Sequence, residues 1–262
     1  MARQGMDRFP PTAVFVGAAD QASLSPRPRR AAVRSTVDMR ELELLTARLC
    51  HELSAPIAAI NNGTELLAEE DSDDPGPMSG TSFVRDAAAL IGDSARRAGG
   101  RLQFYRFAYG FGGGALAGPA PHELAVSFFA ESRIACDYSD NVRILPPDWQ
   151  KLACNLLPVG AETLPRGGRL VLTDDPLNLE AVGEAADLSP ELRSALMLTM
   201  PIAELTSRTV QAFFTGLIAK ALGCRLIGAV EPGRVRLTAM PPAAKPPRCR
   251  AAPQSSARSP RV

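Results

Sequence analysis

The chain has 262 residues, of which 45% are hydrophobic and 22% charged, enough to bury a sizeable core in one or two domains. Its formal net charge of +1 excludes the strong charge bias typical of proteins that bind nucleic acid or anionic membranes. The sequence contains no run of about 18 apolar residues, so we predict no membrane-spanning helix. The five scattered cysteines match neither a metal-binding spacing nor a disulfide framework. We therefore expect a protein of the cytoplasm.

Changes of composition along the chain divide it into five segments. Residues 1–37 and 241–262 are rich in arginine, proline, alanine and serine without a sustained hydrophobic period, which predicts disorder at both ends. Residues 38–110 carry two long helical patterns, and residues 111–121 form a glycine- and proline-rich linker. In residues 122–240 short helical and strand patterns alternate, which predicts an α/β sandwich and, for the whole chain, an α+β fold.

The first two predicted helices form a hairpin. One runs from residue 38 to 70 and the other from 81 to 109, and the acidic, proline-containing stretch at 69–77 supplies the turn. Each helix carries an apolar stripe, but a single hairpin has too little facing surface to bury both stripes. Pairing two copies into a four-helix bundle would bury them, so we predict a homodimer.

The α/β segment is predicted to contain four helices and five strands. The predicted helices occupy residues 122–132, residues 148–164, a segment that starts at Ser189-Pro190-Glu191, and residues 203–222. The predicted strands occupy residues 133–138, 169–173, 179–184, 225–230 and 234–240. Ser189 is expected to cap its helix, because serine at this position accepts a backbone hydrogen bond and proline suits the first turn.

One of the two histidines, His51, lies in the first helix on the side opposite its apolar stripe. On an ideal helix of ~3.6 residues per turn, His51 points roughly 180–200° away from the centre of that stripe. Imidazole is a nucleophile at neutral pH, and its N-phosphoryl adduct is reactive enough to pass the group on. An outward, unhindered histidine therefore suggests a group that another macromolecule must reach.

The adjacent Glu52 could orient the imidazole ring and accept its proton, which makes His51 and Glu52 the candidate catalytic pair. Neighbours in sequence do not share a helix face, so Glu52 would have to curl back over the backbone to reach the ring. Pro56 has no N–H to donate to the carbonyl of Glu52 and should bend the helix beside the pair.

A partner that reaches His51 would dock on the surface around it. If the hairpin turns near residue 75, the second helix comes level with His51 at about residue 99. The predicted docking surface consists of Ala47, Ser54, Ala55, Ala58 and Asn62 on the first helix, with Gly99, Gly100 and Arg101 opposite. Glycines there would keep the groove open, and nearby arginines could stabilise phosphoryl charge. Alternatively, the glycines only relieve crowding and the arginines are solvated.

Two motifs resemble those of bacterial sensor histidine kinases. Residues 51–60, His-Glu-Leu-Ser-Ala-Pro-Ile-Ala-Ala-Ile, followed by Glu-Leu-Leu at 65–67, resemble the H-box of the kinase hairpin. Asn-Leu-Leu at 155–157 and Pro-Arg-Gly-Gly at 165–168 resemble a kinase N-box and the strand after it. Val159 stands where the kinases have a metal-binding asparagine, and the Asp-x-Gly-x-Gly nucleotide loop is missing. The resemblance thus implies a kinase-like domain without a functional nucleotide site.

An H-box hairpin followed by an ATP-incompetent kinase-like domain is similar to the alphaproteobacterial ChpT family of histidine phosphotransferases. The resemblance implies a phosphorelay: His51 takes a phosphoryl group from the receiver domain of a CckA-like hybrid histidine kinase. It then passes the group to aspartates of CtrA-like and CpdR-like response regulators. The receiver would supply Mg²⁺, so the resemblance implies no cofactor and no metal site of this chain's own. From the net charge and the lack of a long apolar run, we expect neither a nucleic-acid nor a membrane partner.

Two other functions remain open from the sequence. The chain could be an ATP-dependent sensor-type histidine kinase with a divergent nucleotide site, which ATP binding would support. It could also be a non-catalytic dimeric scaffold in which His51 is incidental. The second histidine, His122, follows a proline-containing segment and is predicted to be a helix-start or surface residue.

Overall fold

The structure, a computed structural model, describes residues 38–70, 81–110 and 119–241. The predicted disordered ends, most of the acidic turn and most of the linker lie outside these ranges. No helix within them is long and apolar enough to span a membrane.

Two long helices pack against each other as an antiparallel pair. α1 spans Met39–Glu70 and α2 spans Thr81–Tyr109, in close agreement with the two predicted helices. A Cβ atom at Gly63 would lie 2.5 Å from Cγ1 of Ile91, so this glycine allows a close approach of the helices. Glu52 pairs with Arg101 further along. Together these contacts bring α2 level with His51 at about residue 102, slightly beyond the predicted level.

The remaining described residues form an α/β unit of two layers. Its helices are α3 (Pro121–Phe129), α4 (Asp140–Arg143), α5 (Pro147–Glu162), α6 (Pro190–Leu196), a 3₁₀ turn (Ile202–Glu204) and α7 (Val210–Ala221). Its strands are β1 (Ile134–Tyr138), β2 (Gly168–Thr173), β3 (Leu177–Val182), β4 (Arg225–Glu231) and β5 (Arg234–Met240). The sheet order is β1-β2-β3-β5-β4, with β1 and β2 parallel and the other neighbours antiparallel. The α+β fold is confirmed.

The prediction of one helix over residues 203–222 is wrong. The segment begins with the 3₁₀ turn, and α7 starts only at Val210. Between them the hydroxyl of Thr209 accepts from the backbone N–H of Thr206 at 3.0 Å, and the Thr206 hydroxyl accepts from the N–H of Thr209 at 3.3 Å. Such hydroxyl-to-backbone bonds compete with helical ones, which explains the break.

Smaller corrections concern element ends. The helix predicted over residues 122–132 ends at Phe129, and the strand predicted over 179–184 is Leu177–Val182, directly after the turn at Asp174–Pro176. The four-residue helix α4 was not predicted. The predicted cap of α6 is confirmed, because the Ser189 hydroxyl accepts from the N–H of Leu192 at 3.2 Å.

The hydrophobic core lies between the sheet and the helices α5 and α7, and it continues into the hairpin. Fully buried side chains of β2 and α5, such as Leu170 and Leu156, belong to the same cluster as Phe104 and Tyr105 of α2. Burying a leucine or phenylalanine contributes about 1.5–3 kcal/mol. The C-terminal end of α2 is therefore fixed to the α/β unit by apolar packing.

Asn155 of α5 is fully buried and joins three helices by hydrogen bonds. Its side-chain amide donates at 2.8 Å to the carbonyls of Ala108 and Lys151. Its Oδ1 accepts from Nε2 of Gln211 at 3.1 Å, and Oε1 of Gln211 accepts from the hydroxyl of Tyr109. The asparagine of the N-box-like motif thus serves packing between α2, α5 and α7.

We expect Asn155→Ala to lower the free energy of unfolding by about 3 kcal/mol, because it leaves buried carbonyl and amide groups without partners. Urea unfolding followed by circular dichroism measures the change. The matched control is Asn141→Ala, at an exposed position of α4, where the expected change is within about 0.5 kcal/mol. Equal stability of the two variants would contradict the structural role of Asn155.

Candidate functional site

His51 lies exposed on α1, and no described residue forms a hydrogen bond or ion pair with it. On an ideal helix the five predicted docking positions of α1 lie within about 60° of the direction of His51. All five are exposed: Ala47, Ser54, Ala55, Ala58 and Asn62. The Ser54 hydroxyl turns back and donates to the carbonyl of Cys50 at 2.7 Å. The face therefore presents an accessible imidazole among small side chains.

Glu52 is held by Arg101 of α2. Nη1 of Arg101 forms an ion pair with Oε2 of Glu52 and also donates to the Glu52 main-chain carbonyl oxygen at 3.3 Å. Both side chains are largely sheltered, with 22% of the Glu52 side chain and 28% of the Arg101 side chain exposed. The carboxylate beside His51 is thus anchored on the neighbouring helix, and its Oε1 has no hydrogen-bond partner among the described residues.

The two predicted glycines differ in their surroundings. A Cβ atom at Gly99 would meet nothing within 4 Å, so the space there is open. A Cβ atom at Gly100 would lie 2.7 Å from the hydroxyl oxygen of Ser127 on α3. Gly99 faces open space, whereas Gly100 allows α3 to approach α2 beside the site.

Each arginine of this part of α2 has a carboxylate partner within the chain. Arg96 pairs with Asp93, and Arg97 pairs with Glu131. With Arg101 they line an open cavity of about 330 Å³ beside Ser127 and Phe128. Arg96 and Arg97 are well exposed, and such surface pairs contribute only about 0–1 kcal/mol. An incoming anion could therefore displace their partners at little cost.

Tyr105 follows Arg101 by one turn of α2 and is fully buried. Burial, with a smaller contribution from the negative charge of Glu52, raises the pKa of its hydroxyl to about 12. The phenol therefore keeps its proton at neutral pH. Tyr105 supports the site by packing, and its ring lies 5.0 Å from that of Tyr109.

A cavity of about 460 Å³ opens in the α/β unit between the end of α5 and the start of α6. The described residues that line it include more acidic than basic side chains. The acidic ones are Glu162, Asp187, Glu191 and Glu204, and the basic one is Arg208. Val159 is completely buried in the core. No group of three or more histidine, cysteine, aspartate and glutamate side chains in the described ranges is arranged to hold a metal ion.

Residues 121–232 match the family model of the histidine phosphotransferase C-terminal domain. The chain is 31% identical over 192 residues to the protein phosphotransferase ChpT of Brucella abortus (strain 2308), covering 70% of this chain and 87% of that relative. It also resembles a bacterial phosphotransferase solved at 1.7 Å, with a TM-score of 0.60 and 27% identity, over 78% of this chain and 98% of that one.

The chain belongs to the ChpT family of histidine phosphotransferases. The resemblance seen in the sequence is thereby confirmed, and with it a function in a phosphorelay. The family match covers the α/β unit except its last strand, β5. The alignment to the Brucella relative spans 192 residues and is therefore longer than this unit.

Sequence reasoning missed one anchor of the phosphotransferase hairpin. Arg48, 8% exposed, donates from Nη1 to the carbonyl of Ser207 at 3.1 Å and from Nη2 to Oε1 of Glu162 at 3.0 Å. It thereby joins α1, one turn before His51, to the α/β unit. The sequence carried a weak signal, since Arg48 stands between Leu45 and Leu49 on the apolar side of the helix.

Proposed function

We propose that this phosphotransferase carries the phosphoryl group on His51. The supporting observation is the exposure of this imidazole, unpaired among the described residues and surrounded by small exposed side chains. A phosphoryl donor is a folded domain, and small side chains allow its active site to approach the ring. The proposed docking surface consists of the exposed residues Ala47, Ser54, Ala55, Ala58 and Asn62, with the open space at Gly99 opposite. Gly100 packs against Ser127 and Arg101 pairs with Glu52, so these two predicted docking residues support the surface and do not contact the partner.

The proposed reaction is a displacement at phosphorus. The unprotonated ring nitrogen of His51 attacks the phosphorus of an aspartyl phosphate, the N–P bond forms, and the acyl P–O bond breaks. The aspartate carboxylate leaves with the electron pair, and the other ring nitrogen keeps its proton. Glu52 accepts a hydrogen bond from that N–H, for which its Oε1 is available while Oε2 pairs with Arg101. The same step in reverse passes the group to the next aspartate.

The proposed partners are receiver domains: one from a CckA-like hybrid histidine kinase as donor, and those of CtrA-like and CpdR-like response regulators as acceptors. Each receiver supplies the Mg²⁺ that neutralises phosphoryl charge, so this chain needs no cofactor or metal ion of its own. We place the reaction in the cytoplasm, in agreement with the unpaired cysteines of the described ranges.

The proposed assembly is a homodimer formed by the hairpins. Several large apolar side chains of α1 and α2 are exposed in the single chain: Leu42, Ile57, Val84, Leu90 and Leu102. A two-helix hairpin with such residues outward gains apolar burial when two copies form a four-helix bundle.

The proposed phosphoryl source is a receiver and not ATP. In the cavity of the α/β unit, nucleotide phosphates would meet the carboxylates of Asp187 and Glu204, a like-charge contact that disfavours binding. The position at which kinases hold a metal-binding asparagine is occupied by the buried Val159. Both features support a nucleotide site that no longer functions.

The experiment that tests the proposal is incubation of the purified full chain with a ³²P-phosphorylated receiver domain and Mg²⁺, or with labelled ATP and Mg²⁺. We expect label from the receiver only, stable to base and lost in acid, on the proteolytic peptide that contains His51. Light scattering of the same sample should give twice the chain mass of 27.8 kDa.

Other results would each overturn a part of the proposal. Labelling by ATP alone would identify a histidine kinase. Label on the peptide that contains His122 would identify a different acceptor. The receiver must be shown to phosphorylate another phosphotransferase. If such a receiver does not label this chain, the hypothesis of a non-catalytic scaffold remains. A mass of one chain would exclude the homodimer.

A further inference from the structure

The main chain of α1 lacks one hydrogen bond beside the phospho-acceptor position. In an α-helix the carbonyl of residue 52 accepts from the N–H of residue 56, but Pro56 has no N–H. α1 nevertheless continues as a helix through this point, and Pro56 is buried against the rest of the protein. The carbonyl oxygen of Glu52 therefore needs a donor from elsewhere.

Arg101 supplies that donor. Its Nη1 lies 3.3 Å from the Glu52 carbonyl oxygen while it pairs with the carboxylate of the same residue. One guanidinium thus replaces the missing helical bond and fixes the side chain next to His51.

Arg101 is itself held by the α/β unit. The ring of Phe128 on α3 lies under its guanidinium, with 5.7 Å from Cζ to the ring centroid. Phe128 stacks on Phe104 of α2 at 4.3 Å, and α3 abuts α2 at Gly100. The contact is a favourable cation–π geometry that limits where the guanidinium can lie. The α/β unit is therefore connected to the main chain next to His51: Phe128 contacts Arg101, and Arg101 bonds to the Glu52 carbonyl.

We propose that Arg101 is a positioning residue: it replaces the hydrogen bond removed by Pro56 and so sets the direction of His51 and Glu52. This inference rests on the proposed role of His51. It differs from a direct contact between Arg101 and the phosphoryl group, because Nη1 of Arg101 contacts the carbonyl and carboxylate of Glu52. If the missing bond is what Arg101 compensates, restoring that bond must reduce the need for Arg101.

The test is a double-mutant cycle of Arg101→Met and Pro56→Ala, since Pro56→Ala returns a backbone N–H to the Glu52 carbonyl. Rates of phosphoryl transfer from a phosphorylated receiver are measured for the wild type, both single variants and the double variant. In the protein that keeps Pro56, we expect Arg101→Met to slow phosphoryl transfer about 30-fold, because small misplacements of reacting groups have effects of this order. In the Pro56→Ala background we expect a loss of less than about threefold.

The matched control is Arg106→Met, which removes an arginine from an exposed position of the same helix that has no ion pair among the described residues. Its transfer rate should equal that of the wild type. A loss from Arg101→Met that is equally large in both backgrounds would overturn the positioning role and assign Arg101 to the phosphoryl group or the partner. A wild-type rate in Arg101→Met would overturn it as well.

A second measurement does not depend on transfer and so separates this inference from the proposed function. The ¹³C chemical shift of the Glu52 carbonyl, observed by NMR, reports whether it accepts a hydrogen bond. Arg101→Met should move this shift when Pro56 is present and leave it nearly unchanged in the Pro56→Ala background. An unchanged shift in both backgrounds would overturn the inference even if His51 is the phosphoryl acceptor. The expected pattern would support it even if transfer uses another residue.

Discussion

Replacing His51 by alanine should abolish labelling of the phosphotransferase by a phosphorylated receiver domain, a loss of at least about 1,000-fold in transfer rate. The imidazole provides the nitrogen that bonds to phosphorus in the proposed reaction, and alanine offers no atom that can replace it. His51 is exposed and makes no contacts that fix the fold, so its removal should leave the protein folded. Rapid-quench autoradiography measures the rate, and thermal unfolding confirms the fold.

The chain supplies its own control for this experiment. His122, the other histidine of the sequence, lies in the first turn of α3 with its ring 6.3 Å from that of Tyr138. His122→Ala should transfer within about twofold of the wild type, since a half-buried side chain outside the site affects packing only modestly. Retained labelling in His51→Ala, or its loss in His122→Ala with an intact fold, would refute the assignment of His51.

The two long helices could be predicted because their signals are local and repeated. Apolar residues recur at helical spacing through α1, and the stretch after Glu69 carries turn-forming residues. The exposure of His51 and of the small residues around it follows from the same periodicity. The cap at Ser189 likewise depends only on residues next to it.

Features that depend on distant residues could not be predicted in this way. Residues 203–222 show an apolar helical pattern, but the reciprocal bonds between Thr206 and Thr209 divide it. Weak hydroxyl bonds of this kind cannot be weighed from sequence against helix propagation. The pairing of Glu52 with Arg101 depends on the register of two helices, which a turn position fixes only to within about one helical turn.

The buried arginine Arg48 illustrates the same limit. A charged residue is rarely buried without a partner, so the position of Arg48 among apolar residues indicates that a partner exists. The sequence does not identify that partner. Only the folded chain brings Glu162 and the Ser207 carbonyl to its guanidinium. Arg48 and Arg101 both connect the hairpin to the α/β unit near His51. The α/β unit thus fixes the geometry of the hairpin near His51.

Replacing Ala58 by tryptophan should slow transfer from the receiver about 100-fold while the protein stays folded and keeps its assembly. Ala58 is exposed, lies two helical turns from His51, and points in nearly the same direction on an ideal helix. A tryptophan there occupies the volume through which a folded receiver must approach. Quenched transfer assays at several receiver concentrations measure the transfer rate. We expect the slower transfer to arise from weaker binding of the receiver.

The control for this substitution is Ala221→Trp, at an exposed position near the end of α7. It adds the same bulk to a helix surface away from His51 and should transfer at the wild-type rate. Both variants should keep the unfolding midpoint of the wild type, and light scattering should give the same mass for all three. Transfer by Ala58→Trp at the wild-type rate would show that the receiver approaches His51 from another side of α1, and the docking surface would have to be moved accordingly.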